Sequence, residues 1–158
     1  MSSTPTRNWE RSTGRPRSGS TILGLLLGLV LLSIVVGLAL PRFRHARLES
    51  AAAASAADLE AIRMALISYQ QSQGAWPDDA TPGRIPAGLE ALLPEGVDFE
   101  RADHVVDYEN WSGRSDGFIG LAVVTTGEPL RDAILAHLGE AGTWTDGPTG
   151  FTWVILWG

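Results

Sequence analysis

Residues 22–40 form an uninterrupted apolar segment, and this feature constrains the chain more than any other. The segment has nineteen residues, carries no charge and consists mostly of leucine, valine, isoleucine and glycine. An α-helix rises about 1.5 Å per residue, so the segment is long enough to cross the roughly 30 Å hydrocarbon core of a bilayer. We therefore expect one membrane crossing near the N-terminus and one domain held at the membrane.

Composition limits what the rest of the chain can be. The chain has 158 residues, so the part beyond the apolar segment is long enough for one modest globular domain. There is no cysteine, which excludes disulfides, cysteine-ligated metal and thiol catalysis.

Charge is divided unevenly between the two ends. Residues 1–57 carry seven arginines and two acids, a net charge of +5, whereas residues 58–158 carry five arginines and sixteen acids, a net charge of −11. An acidic head repels phosphate, so no nucleic-acid partner is expected. The basic leader favours a cytoplasmic N-terminus, although Arg42, Arg44 and Arg47 lie just beyond the other end of the segment and weaken this prediction.

The chain divides into four predicted segments. Residues 1–19 are a polar, arginine-rich leader, residues 20–41 a transmembrane helix, residues 42–75 an amphipathic stem helix and residues 76–158 an acidic head. The apolar segment is longer than the ~7–15-residue core of a secretory signal peptide, but an uncleaved signal anchor stays open as an alternative. Pro41 ends the apolar segment, where proline kinks or stops a helix.

Helical character resumes after Pro41 and defines the stem. Residues 46–73 are rich in good helix formers. Apolar residues recur there at near-helical spacing, which predicts one face packed on a domain: Leu48, Leu59, Ile62, Leu66 and Tyr69. Gly74 and the Trp76-Pro77 pair predict the end of the helix.

The head reads as an α+β domain with an antiparallel sheet of three or four strands laid on the stem. Strands are predicted at 104–111, 118–125 and 151–157, a short helix at 87–93 and a longer helix at 128–138. A loop from Pro77 to Pro86 precedes them. In the last strand, alternation places Trp153, Ile155 and Trp157 on one face, which we expect the stem to cover.

Two blocks of sequence resemble the type IV pilin and type II secretion pseudopilin superfamily. The first is Gly19-Ser20-Thr21-Ile22-Leu23 leading into the apolar segment, with Ala39-Leu40-Pro41-Arg42-Phe43 ending it. The second is DLEAIRMALISYQQSQGAWPDD followed by GLEALL, which is similar to the stem end and following loop of type II secretion pseudopilins. Together the blocks span residues 15–93, and the C-terminal third resembles no family.

The resemblance implies a pilin-like fold, a processing site and a set of partners. A prepilin peptidase would cut after Gly19 and leave Ser20 as the methylated N-terminus. The partners would be other pilin or pseudopilin subunits, the peptidase and an inner-membrane assembly platform. The protein would be a single-pass inner-membrane subunit with a cytoplasmic N-terminus and a head that is periplasmic or, in a filament, extracellular.

Two positions depart from the family pattern. Ser20 stands where the mature chain usually begins with phenylalanine, and Gly24 stands where the fifth mature residue is usually glutamate. In the family that carboxylate is thought to pair with the N-terminal amine of a neighbouring subunit, and an unpaired charge in lipid is costly. A chain without it resembles minor subunits at a filament tip, which have no subunit ahead of them. The competing hypothesis is a signal-anchored periplasmic binding domain outside any filament.

Three residues of the apolar helix are candidates for helix packing in the membrane: Gly24 and Gly28, which form a GxxxG pair, and Pro41 at the family's spacing. In the head, Trp76 and Trp111 are expected in the core. Trp144 lies in a Gly- and Thr-rich loop and is the candidate for a partner contact.

The sequence favours neither metal binding nor catalysis. The candidate calcium ligands are Asp116 and Asp146, with Asp103 and Asp107 further off, but they lack the close carboxylate spacing of a calcium loop. His104 and His137 are isolated and are expected to be structural, and no nucleophile–base pair or phosphate loop is present. We therefore predict no metal, no cofactor and no enzymatic activity.

Overall fold

The structure is a computed structural model that describes residues 18–114, 117–139 and 141–157, with side chains from residue 22 onward. Its elements are helix α1 (Ser18–Gln73), a 3₁₀ turn (Glu90–Leu92), strand β1 (His104–Asn110), strand β2 (Phe118–Thr125), helix α2 (Glu128–Leu138), strand β3 (Thr143–Asp146) and strand β4 (Gly150–Trp157). The described residues divide into two compact units, with the boundary between Arg42 and Phe43.

The first unit contains the apolar part of α1. Its large apolar side chains from Ile22 to Leu40 are all exposed, and a window in this helix has a mean hydropathy of 2.9 with no part of it buried. The helix is long and apolar enough to cross a membrane. Pro41 lies inside α1, so it does not end the helix, and the prediction that helical structure resumes after it is confirmed.

In the second unit, the stem part of α1 packs on the sheet through one face of the helix. Leu59, Ile62 and Leu66 are fully buried, while Leu48 and Tyr69 are partly buried against the same core. These residues recur at three- and four-residue intervals, which places them on one side of a helix. The helix ends at Gln73, and Gly74 follows with a φ of 73°, a left-handed conformation that suits glycine.

The sheet is antiparallel throughout, with strand order β1-β2-β4-β3. Alternate residues of the three long strands point to α1 and make up the core together with the stem: Val106, Tyr108, Ile119, Leu121, Val123, Phe151 and Trp153. The predicted fold class, an α+β chain with a long N-terminal helix packed on a small antiparallel sheet, is confirmed. This is the pilin-like arrangement that the resemblance implies.

The segment between the stem and β1 covers one edge of the sheet. Gly83 N–H donates to the carbonyl of Val106 at 2.9 Å, and the Asn110 side-chain amide donates to the carbonyl of Pro77 at 2.7 Å. The predicted helix at 87–93 is shorter than expected and is reduced to the 3₁₀ turn. Leu89 in this segment is nevertheless fully buried.

Helix α2 has the predicted bounds and holds the turn between β3 and β4. Arg131 is almost fully buried, and its Nη1 donates to the carbonyls of Gly147 at 2.9 Å and Pro148 at 2.7 Å. Asp132 lies 2.7 Å from Nη2 of Arg131 and balances its charge. The turn is therefore fixed to α2 by a buried guanidinium.

Candidate functional site

The outer face of the sheet carries an exposed aromatic cluster, which we call the aromatic face and define as Trp111, Phe118, Trp144 and Trp157. Phe118 lies at its centre, with ring centroids 5.8 Å from Trp111, 5.3 Å from Trp144 and 6.2 Å from Trp157. Trp111, Trp144 and Trp157 are 37%, 40% and 62% exposed. A contiguous group of large aromatic side chains open to solvent is typical of an interaction surface.

A β-bulge brings Trp157 to this face. The pairing of β2 with β4 shifts between Ile119 and Gly120, so that Gly120 faces Val154 while Ile119 faces Leu156. Ile155 is the extra residue, and it reverses the sides of the residues that follow it. The prediction that Trp157 shares a face with Trp153 is therefore wrong: Trp153 is buried under the stem, while Trp157 is exposed.

The predictions for the three other tryptophans of the head have different outcomes. Trp76 packs partly buried against the core, as predicted, whereas Trp111 is exposed and stacks on Phe118. Trp144 was predicted in a loop but lies in strand β3, paired with Thr152. It is exposed, as a partner contact requires, and that role stays a prediction.

Polar groups surround the aromatic face. The Nε1–H of Trp111 donates to Oε2 of Glu109, and the guanidinium of Arg114 lies 4.0 Å from the Trp111 ring centroid. Asp146, two residues after Trp144 in β3, is exposed. The face thus has carboxylates at two of its sides, Glu109 on β1 and Asp146 on β3.

Asp107 adds a further acidic group on the outer side of β1. Burial, together with the smaller effects of the neighbouring charges of Glu109 and Asp79, raises the pKa of Asp107 from 3.8 to about 6. The charged carboxylate is therefore less favourable in the folded chain than in the unfolded one. Because the folded pKa is the higher one, this destabilisation is present above pH 6 and is lost as the pH falls towards 4.

We therefore expect Asp107→Asn to stabilise the head at pH 7.5 by about 1 kcal/mol, after allowance for solvent screening. The gain should shrink towards zero as the pH is lowered to 4. Thermal unfolding of the full chain in detergent, followed at both pH values, measures it. Glu95→Gln, at an exposed acid elsewhere on the head, is the control and should give no gain. An Asp107→Asn gain that did not depend on pH would contradict this prediction.

The predicted packing residues of the apolar helix lie in the first unit. A methyl group added at Gly24 or Gly28 would meet no atom within 4 Å. Within the described residues, therefore, nothing in the chain itself requires glycine at these positions, and a contact with another helix stays a prediction. At Gly19 and Ser20 the structure describes the helical backbone only. Residues 1–17 lie outside the described residues.

The described residues contain no group of three or more His, Asp or Glu side chains that could hold a metal ion. Asp103, Asp107 and Asp146 are thus not assembled into a site, and Asp116 lies outside the described residues. His104 is buried, with Nδ1 2.9 Å from Oδ1 of Asp103 and 3.3 Å from Oγ of Ser55. It connects the start of β1 to the stem.

A cleft of about 720 Å³ separates α2 from β3. It is open to solvent and is lined by Asp132, Leu135, Ala136, Thr143, Trp144 and Thr145. Its single carboxylate, Asp132, is already bonded to Arg131.

Comparisons with known proteins give a structural similarity. No protein-family model matches the chain, and no curated protein matches it. Among solved structures, the chain is similar to the major type IV pilin PilA1 from Clostridium difficile, with 15% sequence identity and a TM-score of 0.48. The match covers 69% of this chain and 96% of the pilin chain. At this identity the similarity concerns the fold alone.

Proposed function

We propose that the chain is a pilin-like structural subunit, anchored in the inner membrane by residues 20–41 and assembled with other pilin or pseudopilin subunits. The observation that carries the proposal is the division of α1. Its stem buries Leu59, Ile62 and Leu66 in the head, whereas the large apolar side chains from Ile22 to Leu40 are left exposed by the part of the chain that the structure describes. Lipid covers such a surface in a membrane, and equivalent helices cover it in a filament.

The more specific claims, on processing, on the type of filament system and on the position in the filament, rest on the sequence. The order of leader glycine, apolar helix, proline and stem supports processing by a prepilin peptidase after Gly19 and export through an inner-membrane assembly platform. The second block favours a type II secretion system over other pilus-type filaments. Gly24 supports a minor or tip subunit, since a subunit with no neighbour ahead of it does not need the usual glutamate. The N-terminus would be cytoplasmic and the head periplasmic or extracellular.

The second candidate is a signal-anchored periplasmic binding domain that enters no filament. The observation that supports it is the aromatic face, because exposed aromatic side chains are typical of a surface that binds another molecule. Both candidates have the membrane anchor, but they differ in whether the chain is cleaved after Gly19. Only the pilin-like subunit is cut there.

The proposal predicts a peptidase-dependent change in mass. Co-expression with a prepilin peptidase should shorten the membrane-bound chain by the nineteen residues of the leader, as measured by intact mass spectrometry. Gly19→Leu should block the cut, whereas Gly14→Leu, at another leader glycine, should leave it intact. A leader that stays whole in the presence of an active peptidase would favour the signal-anchored domain.

A further inference from the structure

The stem begins with a short stretch of cationic residues, 43–47, which we call the basic segment. Its sequence is FRHAR, and it starts three residues after Leu40, where the apolar segment ends. The first acid after Leu40 is Glu49, whose Oε1 lies 3.1 Å from Nε2 of His137 on α2. The acid closest in sequence is therefore directed to the head and not to the arginines of the basic segment.

The basic segment presents two cations and one aromatic ring to its surroundings. Phe43 is 60% exposed, and the guanidinium of Arg47 lies 5.2 Å from the centroid of its ring. Arg44 and Arg47 are exposed, and neither forms an ion pair with a carboxylate in the part of the chain that the structure describes. On a helix these three residues fall within a sector of about 100°, so they lie on one side of it.

The position of the basic segment along α1 indicates its environment. The helix is continuous from Ser18 to Gln73, so Arg44 and Arg47 follow Leu40 by about 6 and 10 Å along it. The headgroup layer on each side of a hydrocarbon core is about 5–8 Å thick. Long arginine side chains place their guanidinium groups in this layer, and a phenylalanine ring suits the boundary between headgroups and acyl chains.

Charge favours an anionic headgroup as the occupant. A guanidinium binds a phosphate group through two parallel hydrogen bonds, and each basic residue next to a membrane span raises the local concentration of anionic lipid about fivefold. Residues 58–158 carry a net charge of −11 and are repelled by the same lipid. In the proposed orientation the basic segment is periplasmic, where flanking arginines are uncommon, so membrane topology alone does not account for them.

We propose that the basic segment binds the headgroups of anionic phospholipids. Arg44 and Arg47 contact the lipid phosphates, and Phe43 lies at the boundary of the hydrocarbon core. These contacts hold the start of the stem at one depth, against the repulsion between the acidic head and an anionic membrane. The inference rests on the membrane anchor of the proposed function and does not depend on processing or on filament assembly.

The test uses the full chain in vesicles of phosphatidylcholine with a minor fraction of phosphatidylglycerol. The chain has no cysteine, so Ala46→Cys provides a single site for a bimane fluorophore within the basic segment. Phosphatidylglycerol and phosphatidylcholine, each with a nitroxide near the start of one acyl chain, are compared as quenchers. The labelled phosphatidylglycerol should quench about two- to fivefold more strongly, and the difference should shrink in high salt.

Variants separate the basic segment from the charge of the whole chain. Changing both Arg44→Gln and Arg47→Gln should remove the preference for phosphatidylglycerol, and glutamine keeps the helix because it is a good helix former. Arg84→Gln, at an exposed arginine of the head, is the matched control and should retain the preference.

Equal quenching by the two lipids with both arginines present overturns the proposal and leaves the membrane anchor standing. Absence of quenching by either lipid contradicts the anchor as well, because residue 46 would then lie away from the membrane. The proposal is also overturned if the double variant keeps its lipid preference. Loss of self-association in place of the lipid preference would assign the arginines to the acidic head of a second copy.

Discussion

Replacing Leu66 by alanine should lower the free energy of unfolding of the head by about 2–5 kcal/mol, the range measured for buried leucines that leave a cavity. Leu66 is fully buried on the face of α1 that packs on the sheet. The cavity would lie where the stem meets the strands. Chemical unfolding of the full chain in detergent, followed by near-ultraviolet circular dichroism, isolates the head because its tryptophans give the signal.

Met64→Ala is the matched control for this change. Met64 lies two residues earlier on the same helix and is 57% exposed, so its truncation should change stability by less than about 0.5 kcal/mol. Both variants place alanine, the best helix former, in the same helix. Equal losses for the two variants would mean that the stem does not stabilise the head by packing on the sheet.

The elements with a strong local pattern are those that the sequence predicted well. The stem residues recur with the period of a helix, and β2 is found at the predicted residues 118–125 because its ends are set by turn residues. Helix α2 has Pro129 near its start and Gly139, with a φ of 83°, after its end. These signals act within a few residues of the chain, so a single sequence is enough to detect them.

The errors arise where pairing between strands decides the outcome. Strand β3 has four residues and lies at the sheet edge, too short for an alternating pattern to distinguish it from a loop. The bulge at Ile155 exists only relative to β2, and alternation within β4 alone gives the wrong side for Trp157. A one-residue change of register moves every later side chain to the other face.

The candidate site was predicted only in part for the same reason. The glycines and threonines around Trp144 indicate an exposed position for it, but its neighbours in the aromatic face come from other strands. The sequence does contain one indication of this cluster, because Trp111 and Phe118 flank a turn between two predicted strands. Their backbones are joined by a 2.9 Å hydrogen bond from the Trp111 N–H to the Phe118 carbonyl, so a hairpin there places both rings at the same end of the sheet.

Arginines introduced into the apolar segment, residues 22–40, should have the second large effect, which is on membrane insertion. Its fourteen leucine, isoleucine and valine residues favour insertion by roughly 4–8 kcal/mol in total on a translocon-based scale, whereas each arginine near the centre opposes it by about 2.5–3.5 kcal/mol. Leu31→Arg alone should therefore leave the chain in the membrane. The double change Leu29→Arg and Leu32→Arg should bring the free energy of insertion near zero, so a large share of the protein should be released from the membrane.

The measurement is extraction of membranes with alkaline carbonate, which releases peripheral proteins and leaves inserted ones behind. The matched control puts two arginines on the head, at exposed Leu92 and Val124, and should not change extraction. If the Leu29/Leu32 double variant stays fully inserted, a partner must neutralise the added charges inside the bilayer, because unpaired arginines there are too costly. Such a result would point to a companion helix with acidic or polar groups facing residues 29–32. Release of the control variant would instead show that the anchoring surface extends to the head.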